Sequence, residues 1–229
     1  RANADVYYQN CGDYVTGQVG AWCRFHRRPF VYAVASEPDC DPRLPKLPSL
    51  RERLLYRYGL THANRVIVQT RRQQEMLRGS FGLEAHVIPM PCPGPAATEN
   101  VIEQPSGPPR VVWIGRFSHV KRLELMLDVA AAAPEIQFEV AGTPEAKDDY
   151  SRGLFAKVAT LPNVTLRGVV GRYQMNAFYR GAVALLCTSE YEGFPNTFLE
   201  AWSIGVPVVS TVEPDALLSE GRLGLVGRT

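Results

Sequence analysis

The 229 residues include 25 lysines and arginines against 23 aspartates and glutamates, with 45% hydrophobic and 21% charged residues overall. A net charge of +2 gives no reason to expect nucleic acid as a partner, and no apolar run is long enough to span a bilayer. Five cysteines, Cys11, Cys23, Cys40, Cys92 and Cys187, form no Cys-x-x-Cys pair; they read as reduced thiols packed like small apolar side chains, with no zinc site or disulfide frame.

Residues 1–100 hold 13 basic against 9 acidic side chains, a scattered excess that reads as a solvated face. Four strand-like runs, ADVYYQN, PFVYAVAS, NRVIVQT and HVIPM, alternate with helices expected near 14–27, 49–60 and 71–80. The second of these helices falls in LPSLRERLLYRYG, whose Leu50, Leu54 and Tyr58 form one apolar stripe at helical spacing, expected to pack on the sheet rather than on a membrane. The loop 35–48 contains Asp39-Cys40-Asp41, an Asp-x-Asp that reads as an acidic turn between prolines more readily than as a metal site. His26, His62 and His86 read as packing or surface residues.

Residues 89–109 contain seven prolines and almost no periodicity, which suits an interdomain linker at 91–109. The expected division is a partial first domain at 1–90 and a second at 110–229, two α/β domains facing across a cleft. The chain starts at Arg1 without a signal peptide and stops at Thr229 with no helix after LGLVGRT, so truncation at both ends is expected.

From residue 110 the alternation is regular: RVVWIG is a strand, KRLELMLDVAAAA a helix, IQFEVAG a strand, EAKDDYSRGLFAKVAT a helix, NVTLRGVV a strand, RYQMNAFYRG a helix and VALLCTS a strand. Such a pattern predicts a doubly wound parallel sheet, whose ligands sit beyond the carboxyl ends of its strands. After VALLCTS comes EYEGF, a turn, then Pro195 in the first turn of a helix through FLEAWS that stops at Gly205. The N–H groups of residues 196–198 then point beyond the strand ends, where phosphate is attracted. Glu200, one turn into that helix, is within reach of a ribose, and Glu192 of whatever lies beyond the phosphate. The plainer reading makes Glu192 an electrostatic cap and Glu200 a solvent-facing charge. In the turn after RVVWIG, Arg116 and Lys121 stand ready to neutralise a diphosphate, Arg122 faces solvent and His119 has no assigned role.

The succession GRFSHVK, VAG, LRGVV and TSEYEGFPNTFLEAWSIGVPVV resembles the carboxyl-terminal domain of family 4 retaining glycosyltransferases of the GT-B fold, within the glycosyl transferases group 1. The likeness is strong over 110–229 and weaker over 60–109. It implies two Rossmann-like domains, with Arg116 and Lys121 on the donor diphosphate and Glu200 on the nucleotide ribose. It further implies Glu192 on the donor sugar, the amides of Phe194, Asn196 and Thr197 as a cradle, and the backbone at Val169 near the base. Arg122 stands where that family usually has glycine, and the family's amino-terminal glycine-rich loop and closing helices are missing.

The activity implied is hexosyl transfer with retention, from a nucleoside diphosphate-sugar to a saccharide or lipid-linked acceptor in polysaccharide or glycoconjugate assembly. No metal or other cofactor is implied. The setting implied is the cytoplasm, with peripheral contact at the membrane face. Two rivals share the pattern: a sugar-nucleotide epimerase of the same fold, and a nucleotide-sugar-binding module without catalysis. A dinucleotide dehydrogenase is disfavoured, because no strand is followed by Gly-x-Gly-x-x-Gly.

Overall fold

The strands of the protein are short and most are followed by a helical segment, and the computed structural model assembles them into two parallel sheets. The structure describes residues 3–92, 94, 108–144 and 149–227. Most of the expected linker and the first residues of the helix expected at 145–160 lie outside them. Two compact units result: Arg1–Met90 with Tyr191–Phe194, and Pro91–Glu190 with Pro195–Thr229.

In the first unit, β1 (Tyr7–Asn10), β2 (Phe30–Ala33), β3 (Arg65–Val68) and β4 (His86–Val87) pair in chain order, all parallel. The helices between them are α1 (Tyr14–Phe25), α2 (Leu50–His62) and α3 (Arg71–Phe81). Their starts follow from side-chain caps that satisfy otherwise orphan amides: Asp13 accepts from Val15 N, Ser49 and Glu52 form a capping box, and Thr70 accepts from Gln73 N. Gly82, left-handed at φ 65°, ends α3. Tyr32, Tyr56, Leu60, Val68 and Leu77 are buried at the centre.

Helices α1 and α2 touch backbone to backbone. A Cβ on Gly17 would lie 2.2 Å from Leu55 O, and one on Gly59 would lie 2.2 Å from Thr16 O, so only glycine admits this approach. The pairing buries Tyr56, Gly59 and Leu60 of α2 and turns Leu50 and Leu54 outward, exposed by 73% and 58%. The expectation that the Leu50, Leu54, Tyr58 stripe packs on the sheet is therefore corrected: the glycine contact sets the helix rotation, and the more apolar-looking stripe loses to it.

Asp39 is buried in a 3-10 turn, Glu37–Cys40, and its carboxylate accepts from Ser36 N, Ser36 Oγ and Lys46 Nζ. Asp41 turns instead to Arg43, whose guanidinium and amide hold its carboxyl below the usual range. The two carboxylates thus serve an acidic turn with separate partners. Cys23, Cys40 and Cys187 are buried, whereas Cys11 and Cys92 are exposed and do not pack as apolar side chains.

The second unit holds β5 (Arg110–Ile114), α4 (Leu123–Ala132), β6 (Gln137–Ala141), α5 (Asp149–Val158), β7 (Val164–Gly168), α6 (Met175–Tyr179), β8 (Ala184–Cys187), α7 (Asn196–Ser203), β9 (Val208–Ser210) and β10 (Gly224–Val226). All pairings are parallel, in the order β10-β9-β8-β5-β6-β7. β10 is a strand that spacing alone does not announce. The helix expected over RYQMNAFYRG is a 3-10 turn, Arg172–Gln174, followed by the short α6. Trp113, Phe117, Leu123, Leu127 and Phe138 are buried in the core against the α4 side of the sheet.

Candidate functional site

The strand order identifies one place in the second unit before any side chain is considered. From β5 the chain steps to β6 and β7 on one side, then returns to β8 on the other side of β5. Consecutive crossovers diverge there, which opens a crevice beyond the carboxyl ends of β5 and β8. The segments leaving those ends are 115–122 and 188–195, which contain Arg116, Lys121 and the turn into α7.

After β5, Phe117 turns inward to full burial and meets Trp113 edge-on at 6.1 Å. That anchor leaves Arg116 exposed and is followed by a 3-10 turn, His119–Lys121, with Lys121 half-buried. Gly142, which ends VAG, has φ 151°, and a Cβ there would lie 2.0 Å from Gly115 O. Glycine is required for the end of β6 to approach this turn so closely.

A hydrogen-bond network joins the two segments. Trp113 Nε1 donates to Thr188 Oγ1 at 3.0 Å, and that hydroxyl donates to Lys121 O at 2.7 Å. Glu190 N donates to Val120 O at 2.8 Å. Arg122 sits in the left-handed region at φ 45° and donates from Nε to Thr188 O at 2.8 Å and from Nη2 to Ser189 O at 3.2 Å. The expectation of a solvent-facing Arg122 is corrected. Its backbone takes a conformation suited to glycine, while its side chain donates to two carbonyls just past β8, of which Ser189 O also accepts from Thr211 Oγ1 at 2.6 Å. His119 stacks on Tyr150 at 3.7 Å.

Pro195 is the N-cap of α7, one position before the first turn where the sequence reading puts it, and makes no side-chain cap. Phe198 N already donates to Pro195 O at 3.0 Å, so the amides expected at 196–198 reduce to those of Asn196 and Thr197. Asn196 is exposed and Thr197 half-buried, while Phe198 and Ala201 face the core. That rotation leaves Glu200 half-buried, where its carboxylate accepts from Tyr179 Oη at 3.0 Å. Burial first, and the Glu200 charge second, push the Tyr179 hydroxyl far above its ordinary pKa, so it is a fixed donor. Glu200 is therefore not a plain solvent-facing charge.

A cleft of about 500 Å³ in this unit is lined by Asn196 and Glu200 from α7 together with Arg172, Tyr173, Asn176 and Cys92. Of the residues chosen from sequence, it brings together Asn196 and Glu200; Arg116, Lys121, Thr197 and Val169 are not in its lining. Val169 is 77% exposed just past β7, two strands from β5. Arg172 and Tyr173 escaped the sequence reading because a regular helix was expected there. The available signal was a cation beside an aromatic immediately past a strand end.

The turn Tyr191–Phe194 is grouped with the first unit. Its Phe194 N donates to Gln69 Oε1 at 2.6 Å, so the amide expected in the phosphate cradle has a side-chain acceptor in this structure. Glu192 is half-buried, with its carbonyl accepting from Glu37 N at 3.2 Å.

Comparison with known proteins gives a consistent picture. Residues 108–228 match the sequence family described as Glycosyl transferases group 1. The lipopolysaccharide core biosynthesis glycosyltransferase LpsE of Rhizobium meliloti (strain 1021) is 27% identical over 129 residues, 55% of this chain and 36% of LpsE. Sucrose-phosphate synthase from Thermosynechococcus elongatus superposes with a TM-score of 0.75 at 20% identity, covering 97% of this chain and 60% of that one. The pneumococcal O-GlcNAc transferase GtfA in complex with UDP and GlcNAc does so at 0.65 and 19% identity, covering 93% and 44%. The chain thus spans about a third of the length of its curated relative.

Proposed function

Because the chain belongs to the glycosyl transferases group 1, we propose that the full-length protein moves a hexosyl group, with retention, from a nucleoside diphosphate-sugar to a saccharide or lipid-linked acceptor in glycoconjugate assembly. The observation that carries the reading is topological. The two segments with the motif residues leave the carboxyl ends of β5 and β8, the adjacent strands at which the crossovers diverge.

In this reading Arg116 and Lys121 neutralise the diphosphate, and the amides of Asn196 and Thr197 at the start of α7 add to that field. Glu200, oriented by Tyr179, accepts from the ribose hydroxyls, the backbone near Val169 meets the base, and Glu192 meets the donor sugar. Attack comes from the face the diphosphate leaves. The glycosidic bond to the phosphate oxygen breaks as the acceptor oxygen bonds to the anomeric carbon, and the departing phosphate oxygen takes the acceptor's proton. No side-chain nucleophile enters, and the protein's share is electrostatic stabilisation of the leaving diphosphate by Arg116 and Lys121, without a metal. The work is done in the cytoplasm, at or near the membrane face.

The test is a panel of nucleotide sugars offered to the full-length protein, with transfer, hydrolysis and isomerisation followed together. A uridine diphosphate sugar is the first donor to try, since the pneumococcal relative's structure holds UDP. Retentive transfer from at least one donor is expected. Isomerisation of a donor without acceptor, or binding without transfer to any acceptor offered, overturns the reading.

A further inference from the structure

The segment 115–122 carries Arg116 and Lys121, and several parts of the second unit fix its course. Near its start Phe117 is buried against Trp113, and near its end the Thr188 hydroxyl donates to Lys121 O at 2.7 Å. Between those anchors, and between the two cations, stands His119, which is exposed. Its ring lies on that of Tyr150 in the first turn of α5, with the centroids 3.7 Å apart and the planes at 21°.

Tyr150 is a held platform. It is half-buried, packs against the core cluster that contains Trp113, Phe117 and Leu123, and its hydroxyl donates to the carboxylate of Glu124 in the first turn of α4. Glu124 is favoured in that turn by the field of the helix's amino-terminal end. One ring therefore ties the loop to the starts of two helices. A loop that presents two long cations to a polyanion loses less freedom on binding when its backbone is already ordered, so such a tie bears directly on affinity.

We propose that Tyr150 is a positioning residue for the donor diphosphate: by stacking on His119 it holds the 116–121 backbone on the course that turns Arg116 and Lys121 to one anion. The inference rests on the use of those two cations proposed above and adds the residue that orders them. The competing role is a direct contact from the His119 imidazole to phosphate. Stacking leaves the ring nitrogens at the edge of the pair, so the two roles are told apart by exchanging the ring for another aromatic one as well as by removing it.

The test is isothermal titration calorimetry of the full-length protein with UDP, GDP and ADP, and with the monophosphate of whichever binds most tightly. The preference for diphosphate over monophosphate is the readout, because a general loosening of the unit weakens both alike. His119→Ala should lower the diphosphate affinity about fivefold and the monophosphate affinity less, with the melting temperature unchanged. His119→Phe, which keeps a ring on Tyr150, should return the affinity to within about twofold of the parent. Tyr150→Phe keeps the ring but releases it from Glu124, and should fall between the parent and His119→Ala. Tyr150→Ala also removes core packing, so the His119 variants and Tyr150→Phe decide the matter; adding His119→Ala to Tyr150→Ala should weaken binding no further. A His119→Phe protein as weak as His119→Ala assigns the imidazole to the phosphate itself and overturns the proposal. So does an unchanged preference in His119→Ala and Tyr150→Phe where Arg116→Ala and Lys121→Ala abolish it. If the two cation variants also leave the preference intact, or the parent has none, the donor reading falls and this inference with it.

Discussion

The hydroxyl of Tyr179, at the end of α6, donates to the carboxylate of Glu200, one turn into α7, across 3.0 Å. Tyr179 is fully buried and Glu200 half-buried, and burial and the Glu200 charge raise the Tyr179 pKa, so the acid is held at the cleft by a hydroxyl that stays protonated.

Tyr179→Phe tests that presentation. Loss of one hydrogen bond to a charged group costs about 1.5–3 kcal/mol where it is fully used. The donor KM should rise about tenfold or more with kcat little changed, and steady-state kinetics on the full-length protein read the split.

Arg116→Ala and Lys121→Ala should each cut transfer about a hundredfold or more while the melting temperature stays near that of the parent, since neither side chain is in the core. Near-normal turnover in both variants removes the diphosphate assignment.

At position 122, glycine and alanine should part company. Both lose the bonds to Thr188 and Ser189 carbonyls, but only glycine relieves the left-handed backbone at φ 45°. Arg122→Ala should therefore be less stable than Arg122→Gly by about 1 kcal/mol in denaturant titrations, with both below the parent.

Acid should weaken the second unit through Glu139 on β6. Burial works to raise its carboxyl pKa, but hydrogen bonds and charge from Arg167 and Arg110 outweigh it, and the pKa is lowered. A depressed carboxyl contributes stability that is fully present above its unfolded value of about 4.3 and is lost as pH falls through the folded value. Unfolding free energy should drop below about pH 4, and Glu139→Gln should flatten that part of the profile.

Two helical glycines should respond oppositely to alanine. Gly59→Ala drives a Cβ into Thr16 O and should be destabilising enough to lower expression, whereas nothing lies within 4 Å of a Cβ at Gly79 in α3. Gly79→Ala should stabilise by up to about 1 kcal/mol, measured by thermal melting.

Much of the architecture is written locally. The apolar runs at 110–114, 137–141 and 184–187 and the caps at Asp13, Ser49 and Thr70 act over a few residues, so their elements are read directly from the chain. The family resemblance singles out Arg116, Lys121, Glu192, Phe194, Asn196, Thr197, Glu200 and Val169, of which Asn196 and Glu200 line one cleft. The errors fall where a distant partner decides the outcome. Arg122 is solvent-facing by its neighbours in sequence, yet it reaches carbonyls 66 and 67 residues away.

The sequence by itself determined the alternation of strands and helices and the order of chemical groups from Arg116 to Glu200, because periodicity and side-chain chemistry are local properties. Only the tertiary structure decided which stripe of α2 is buried, that Phe194 gives its amide to Gln69, that Tyr179 holds Glu200, and that Arg172 and Tyr173 share a cleft with it. Each of these is a competition between partners far apart in the chain, and close packing, not local preference, selects the winner.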